Sequence, residues 1–230
     1  MLYHDPKTND FSNHVHIPRT GGRFISTCFL QSGFIEQFPP RHLYNGKEMM
    51  HLPVADMNTI TSGENIKYQS FAVIRNPIEK FKSSYLELYS ILGKIIKMNI
   101  LEDYDLFKDL FNNRVLQFSI GDPEKYYSGV VYKGIRNSPN NWFKSQVEFI
   151  NKNVKLWKFE NGLDKNFESW VIEEVGIKNF SIDIKDVNGK LYETDHFDQK
   201  RKKISKKILE NVEKYYAKDM ELWDSIPWVV

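Results

Sequence analysis

The feature that most constrains the fold is a pattern that occurs twice, in which an apolar run is followed by a polar turn and a helical pattern. The first copy has a predicted strand at 13–17, a glycine-containing turn at 18–22 and a predicted helix at 23–31. The second copy has a predicted strand at 68–74, followed by Arg-Asn-Pro and a long predicted helix. Such alternation predicts an α/β fold with a central, mainly parallel sheet flanked by helices.

The remaining patterns extend this arrangement without dividing it. Helices are predicted at 105–120, 142–150, 164–175 and 204–223, a third strand at 154–159, and a long loop at 121–141. No repeat, linker or shift in composition interrupts the chain, so we predict a single domain over residues 1–230.

Composition excludes several classes of protein. Hydrophobic residues make up 41% of the chain and aromatic residues 14%, which is too much apolar material for an intrinsically disordered chain. The 32 basic and 30 acidic residues give a net charge of +2, which disfavours nucleic acid as a partner. Cys28 is the single cysteine, so no internal disulfide can form. Neither a secretory signal nor a run of 18 apolar residues is visible, and we expect a cytoplasmic protein without a membrane span.

The turn of the first copy has the composition of an anion site. Two adjacent glycines allow main-chain N–H groups to converge on an anion, and the helix that begins there adds the positive end of its dipole. The residues that would supply these groups are Arg19, Thr20, Gly21, Gly22, Arg23, Phe24 and Ile25. A Walker A loop is absent, because no Lys-Ser or Lys-Thr pair follows Gly22. Taken alone, the same turn also fits a plain strand–helix connection.

The second copy offers a second set of anion ligands. Arg75 follows the predicted strand, where a planar guanidinium can bind a phosphate through two hydrogen bonds. Asn76 is a good N-cap and Pro77 suits the first helical position. Ser83 lies two helical turns beyond Asn76, so Asn76, Lys80 and Ser83 form a predicted polar stripe. The alternative is a capped helix with a solvated polar face.

Together these residues resemble the sulfotransferases that use 3′-phosphoadenosine 5′-phosphosulfate (PAPS). HIPRTGGRFIS is similar to the family's 5′-phosphosulfate loop, and FAVIRNPIEKFKSSY is similar to its 3′-phosphate motif. His-Leu-Pro at 51–53, Ser-Gln-Val-Glu-Phe at 145–149, the segment at 156–177 and the ending VEKYYAKDMELW resemble later segments of the carbohydrate sulfotransferases, in the same order.

The resemblance implies a P-loop-like three-layer sandwich and a transferase that needs no metal. Residues 19–25 would bind the 5′-phosphosulfate, and Arg75 and Ser83 the 3′-phosphate, with PAPS as cosubstrate and 3′-phosphoadenosine 5′-phosphate (PAP) as product. Sulfuryl transfer depends on positioning and on charge stabilisation at the leaving phosphate. The family's usual lysine is Arg19 here, which keeps the charge but cannot donate a proton to the leaving group.

The acceptor would be a hydroxyl of a small molecule or a glycan, and its activation needs a general base. Histidine is suited to that role at neutral pH. By position His51 is our first choice and His42 the second, with a carboxylate such as Glu48 or Asp56 as the third. Two alternative functions stay open: a nucleotide or small-molecule kinase, and a nonenzymatic PAP- or glycan-binding protein.

Overall fold

A five-stranded mixed sheet forms the centre of the protein. The computed structural model describes residues 1–38, 43–44, 47–63, 66–92, 101–112, 142–182 and 204–229. The strands of the sheet are β1 (Leu2–His4), β2 (Phe11–His14), β3 (Ile35–Glu36), β6 (Tyr68–Ile74) and β7 (Lys155–Lys158), in the order β3-β1-β2-β6-β7. Strands β2, β6 and β7 run parallel, and β1 is antiparallel to both β2 and β3. The α/β class is therefore confirmed, with a parallel core and an antiparallel edge.

The helices and the remaining short elements lie between and after these strands. The α-helices are α1 (Gly22–Gln31), α2 (Val54–Ser62), α3 (Pro77–Leu92), α4 (Tyr104–Asn112), α5 (Lys165–Trp170), α6 (Lys206–Tyr215) and α7 (Ala217–Ser225). Strands β4 (Leu43–Tyr44) and β5 (Lys47–Glu48) form a separate antiparallel pair. Short 3₁₀ helices span Met49–His51, Gln146–Phe149 and Phe159–Asn161, and α5 continues as a π-helix over Val171–Val175. In the described part of the chain, no helix has the length and apolar character needed to cross a membrane.

The second half of strand β6, residues 71–74, is buried on both faces of the sheet. Phe71 and Val73 pack in a cluster with Ile25 and Phe29 of α1 and with Phe167 of α5. The alternate residues Ala72 and Ile74 belong to a second cluster that includes residues of α2 and α7, namely Val54, Leu222 and Trp223. The alternation places successive side chains on opposite faces, so apolar surface is removed from water on both sides of the sheet.

Several predicted boundaries need correction. The strand predicted at 13–17 is β2 at Phe11–His14, and Val15 and Ile17 are buried in the chain that follows it. The single helix predicted at 204–223 is two helices, which are separated at Tyr216 with φ −100° and ψ 27°. The predicted helix at 142–150 contains a 3₁₀ helix over Gln146–Phe149. The predicted loop at 121–141 and the end of the helix predicted at 105–120 lie outside the described residues.

Strand β6 and helices α1 and α3 confirm the predictions for the two repeated units. Asn76 caps α3 as predicted, because its Oδ1 accepts hydrogen bonds from the main-chain N–H of Ile78 at 3.0 Å and of Glu79 at 3.3 Å. Since β2 and β6 are parallel neighbours, the turns that follow them lie at the same edge of the sheet.

Candidate functional site

The turn after β2 has an unusual backbone. Arg19 has φ 70° and Gly21 has φ 85°, so two residues of one turn occupy the left-handed region. The Thr20 hydroxyl donates to the carbonyl of Ile17 at 2.8 Å and closes the turn from within. A non-glycine residue with positive φ costs about 1–2 kcal/mol, and such strain persists where the surrounding contacts impose it. The turn therefore holds Arg19 in a conformation that arginine would not adopt by itself.

Gly22, at the start of α1, is required for a different reason. A Cβ atom at this position would lie 1.9 Å from both Cδ2 and Nε2 of the His16 imidazole. His16 is buried, and its ring fills the space beneath the first residue of the helix. Only glycine allows the main chain to approach the ring this closely, so Gly22 and His16 are packed as one unit.

Three side chains from the two predicted anion sites meet at this edge. The Arg19 Nε donates to the Ser83 hydroxyl on α3 at 3.0 Å. The Arg75 guanidinium, which follows β6, donates through Nη1 to the main-chain carbonyl of Arg19 at 3.1 Å. The two sequence motifs thus form one cluster with two guanidinium groups and a hydroxyl, which has the donor chemistry of a phosphate or sulfate site.

Arg75 is held in a setting with little compensation for its charge. Its guanidinium carbon lies 4.7 Å from the centroid of the Phe159 ring, and its buried Nε has no hydrogen-bond partner among the described residues. Burial lowers the pKa of Arg75, and the carboxylates of Glu160 and Glu79 oppose that effect. A buried donor without a partner is costly, so this group suits an anionic ligand that would complete its hydrogen bonding.

The other predicted ligands of the first loop differ in how far their side chains are buried. Arg23 is exposed and Phe24 is partly buried against the main core, whereas the side chains of Thr20 and Ile25 are fully buried. Thr20 can therefore contribute only main-chain groups to a ligand at the start of α1, where the first N–H groups of a helix lack intrahelical partners. The Ile25 N–H already donates to the Gly21 carbonyl at 3.2 Å, so this group is used within α1.

His51 lies close to the first turn but is nearly enclosed. It ends the 3₁₀ helix Met49–His51, it is 8% exposed, and its ring centroid is 4.7 Å from that of His16. His16 stacks in turn on His14 at 5.5 Å. Burial is the main cause that holds the pKa values of His14 and His16 well below the usual value. His42, the second candidate base, lies outside the described residues.

Two features elsewhere are separate from this cluster. A cavity of about 260 Å³ is lined in part by Phe11, Ser12, Tyr68 and Gln69, at the starts of β2 and β6, so it lies at the opposite edge of the sheet. Within the described ranges, no group of three or more His, Cys, Asp or Glu side chains is arranged to hold a metal ion. The candidate anion site is the cluster of Arg19, Ser83 and Arg75, at the edge where β2 and β6 end.

Sequence reasoning misplaced one residue and missed others. Lys80 was predicted on a polar stripe with Ser83, but it is 2% exposed, and its Nζ donates to the carbonyls of Trp142 and Lys144 at 2.8 and 3.0 Å. The prediction is wrong because these carbonyls come from a distant segment that covers the helix. The side chains of Gln146 and Glu160 bind the main chain at Arg75 and Asn76, a role that residue type and position did not indicate.

No protein-family model, no curated protein and no solved structure matches the chain.

Proposed function

We propose that the chain is a sulfotransferase that moves a sulfuryl group from PAPS to a hydroxyl of a small molecule or glycan. The observation on which this proposal depends is the convergence of Arg19, Ser83 and Arg75 from two motifs at one edge of the sheet. Both faces of the sheet are covered, as the proposed P-loop-like three-layer sandwich requires.

The proposed nucleotide lies across the two turns. The 5′-phosphosulfate would contact the start of α1, where the main-chain N–H groups at 22–24 precede the intrahelical bond from Ile25 to Gly21 and the helix dipole has its positive end. The 3′-phosphate would contact Arg75 and Ser83. Arg19 would lie between the two phosphates, because its Nε already binds Ser83. Cationic groups fixed in advance at the leaving phosphate stabilise the charge that grows in the transition state.

His51 is the proposed base for the acceptor hydroxyl. Through His16 its ring is linked to the residues beneath Gly22, which brings it near the proposed phosphosulfate loop. His51 is 8% exposed, so an acceptor hydroxyl would have little of this residue's surface within reach. A general base in this position contributes about 10²–10⁴ in rate.

A second function is favoured by that same burial. If His51 is closed off from acceptors, the arginine cluster serves as a PAP-binding site without transfer, and Arg19 in place of the family's lysine agrees with such a loss. The two functions share the nucleotide site and differ only in chemistry.

Thermal unfolding with different nucleotides tests the proposal. At 100 times its dissociation constant, a ligand adds about 2.7 kcal/mol to the stability. We expect PAP to raise the melting temperature in EDTA, and ATP with Mg²⁺ to raise it less. Stabilisation by ATP with Mg²⁺ alone would replace the proposal with a kinase. If PAP stabilises the protein, sulfuryl transfer from labelled PAPS to a panel of glycans and phenols distinguishes the enzyme from the binding protein.

A further inference from the structure

The main chain at Arg75 is fixed by side chains instead of by a neighbouring strand. Pairing between β6 and β7 ends at Ile74 and Lys158. Directly beyond it, the Gln146 Oε1 accepts from the Arg75 N–H at 3.0 Å, and the Gln146 Nε2 donates to the Arg75 carbonyl at 2.8 Å. Both main-chain groups of Arg75 are therefore satisfied by one amide.

Gln146 is itself held by a carboxylate from α7. Asp219 is completely buried and accepts three hydrogen bonds: from the Ser145 hydroxyl at 2.6 Å and from the N–H groups of Gln146 at 2.8 Å and Val147 at 3.1 Å. Three donors on one buried carboxylate compensate for its lost hydration and fix the segment that they belong to.

A second connection runs from α7 to the residue after Arg75. The Trp223 Nε1 donates to the Glu160 Oε2 at 2.8 Å, and the Glu160 Oε1 accepts from the Asn76 N–H at 2.9 Å. The carboxylate of Glu160 thus joins α7 to the main chain beside the guanidinium cluster. Both connections begin on α7 and end on adjacent peptide groups.

Lys80, on α3, binds the residues that precede Gln146 in the chain. Its ammonium group binds the carbonyls of Trp142 and Lys144, and the Ser84 hydroxyl also donates to the Trp142 carbonyl, at 2.9 Å. Because α3 also contains Ser83, these contacts fix the segment before Gln146 relative to the second anion ligand.

We infer that α7 is a positioning element for the anion site, in which Asp219 acts through Gln146, and Trp223 through Glu160, to set the main chain of Arg75 and Asn76. Arg75 is the first residue after β6, so the direction of its side chain depends on how its own main chain is held. Asp219 touches none of the proposed ligands, and its effect on them passes through Arg75. The predicted loss of PAP affinity rests on the proposed function, whereas the predicted change in amide exchange at Arg75 does not.

Amide hydrogen exchange, measured by NMR, tests the positioning in the free protein. In Asp219→Asn, one carboxylate oxygen is replaced by an NH₂ group, which cannot accept the hydrogen bonds that Asp219 accepts. In Gln146→Leu, the side chain that accepts from the Arg75 N–H is absent. We expect exchange at the Arg75 amide to accelerate by about tenfold or more relative to the Val73 amide, which lies within β6 and reports global opening. Equal acceleration at Arg75 and Val73 would mean general destabilisation and would overturn the inference.

Asn211→Leu is the matched control. Asn211 is 3% exposed on α6, and its Nδ2 donates to the Leu101 carbonyl at 2.8 Å. Among the described residues, this hydrogen bond does not lead to Arg75. This variant should lose comparable stability without a selective change at the Arg75 amide. If Asn211→Leu accelerates exchange at the Arg75 amide as selectively as Asp219→Asn does, α7 is not the element that positions Arg75.

PAP affinity, measured by calorimetry at a temperature where every variant is folded, tests the consequence. Gln146→Leu should lower the affinity for PAP by about tenfold, which corresponds to about 1.4 kcal/mol. The same change made in an Arg75→Ala background should have almost no further effect, because Gln146 acts through Arg75. Additive losses would overturn the inference. Selective exchange at Arg75 together with no PAP binding by the wild type would reject the sulfotransferase proposal and support the positioning role.

Discussion

The Arg19 Nε donates a hydrogen bond of 3.0 Å to the hydroxyl of Ser83, although 64 residues separate the two. The bond joins a strained turn after β2 to the second turn of α3. Arg75, which directly follows β6, adds a second guanidinium, and its Nη1 donates to the Arg19 carbonyl. Side chains from both sequence motifs therefore lie in one cluster, which is the basis of the proposed nucleotide site.

Changes at Arg19 separate charge from geometry. Arg19→Ala should weaken PAP and slow transfer, because the cation acts on the leaving phosphate in the transition state. Arg19→Lys keeps the charge but lacks the Nε donor that binds Ser83, so we expect an intermediate loss of PAP affinity. Calorimetry and single-turnover rates measure the two effects. If Arg19→Lys binds PAP and transfers the sulfuryl group as well as the wild type or better, the geometry of the guanidinium is unimportant.

Removal of the proposed base should affect chemistry alone. His51→Ala is expected to lower the single-turnover rate by about 10²–10⁴, the range for a general base, and to leave PAP affinity nearly unchanged. His4→Ala is a suitable control, because His4 lies on β1 and hydrogen-bonds to Asn9. Equal rates for His51→Ala and the wild type would exclude His51 and direct attention to His42 or Glu48.

The contact between Gly22 and His16 makes a prediction about stability. Gly22→Ala should destabilise the fold by about 1–3 kcal/mol, because the added methyl group overlaps the imidazole. Gly63→Ala is the matched control, since a Cβ there meets nothing within 4 Å and the backbone has φ −68°. Urea unfolding measures both. The double change Gly22→Ala with His16→Ala should recover part of the loss, and a double variant less stable than Gly22→Ala would contradict the steric account.

Acid sensitivity is predicted for the buried histidines. Burial lowers the pKa of His14, so the folded state leaves the imidazole neutral where the unfolded chain binds a proton. Stability is therefore fully present above pH 6.5 and is lost as the pH falls, by at most about 1.4 kcal/mol per pH unit for each such group.

His14→Phe tests this explanation. Both ring nitrogens of His14 lack partners in the described part of the chain, and the ring stacks on Phe71 at 5.1 Å, so phenylalanine fits the site chemically. The variant should lose less stability than the wild type between pH 7 and pH 5. Parallel pH profiles for the two proteins, from urea unfolding, would show that His14 does not titrate on unfolding.

Local signals predicted the elements that form the site. Strand β6 ends in the apolar run Phe-Ala-Val-Ile at 71–74, and Asn76-Pro77 marks the start of α3, so both elements carry a local sequence signal. The convergence of Arg19 and Arg75 followed from parallel strands whose turns share an edge. The strands and helices were predictable because each carries a local signal, whereas the parallel arrangement of β2 and β6 was inferred from the alternation of strands and helices.

Long-range contacts account for what the sequence did not indicate. Strand β1 has three residues, too few for an alternating pattern, and it forms only by pairing with β2 and β3. The break at Tyr216 contains neither glycine nor proline. The burial of Lys80 and the connection from Asp219 to Arg75 depend on segments more than 60 residues away, which no local pattern encodes.

The most direct test of the central claim compares two nucleotides that differ only in the 3′-phosphate. Calorimetry would measure the affinity of PAP and of AMP for the wild type and for Arg75→Ala. We predict that the wild type prefers PAP by about tenfold or more, and that Arg75→Ala loses this preference, with a cost of about 1.5–3 kcal/mol for a hydrogen bond to a charged group. Equal affinity of the wild type for PAP and AMP, or an unchanged preference in Arg75→Ala, would contradict the proposed nucleotide site.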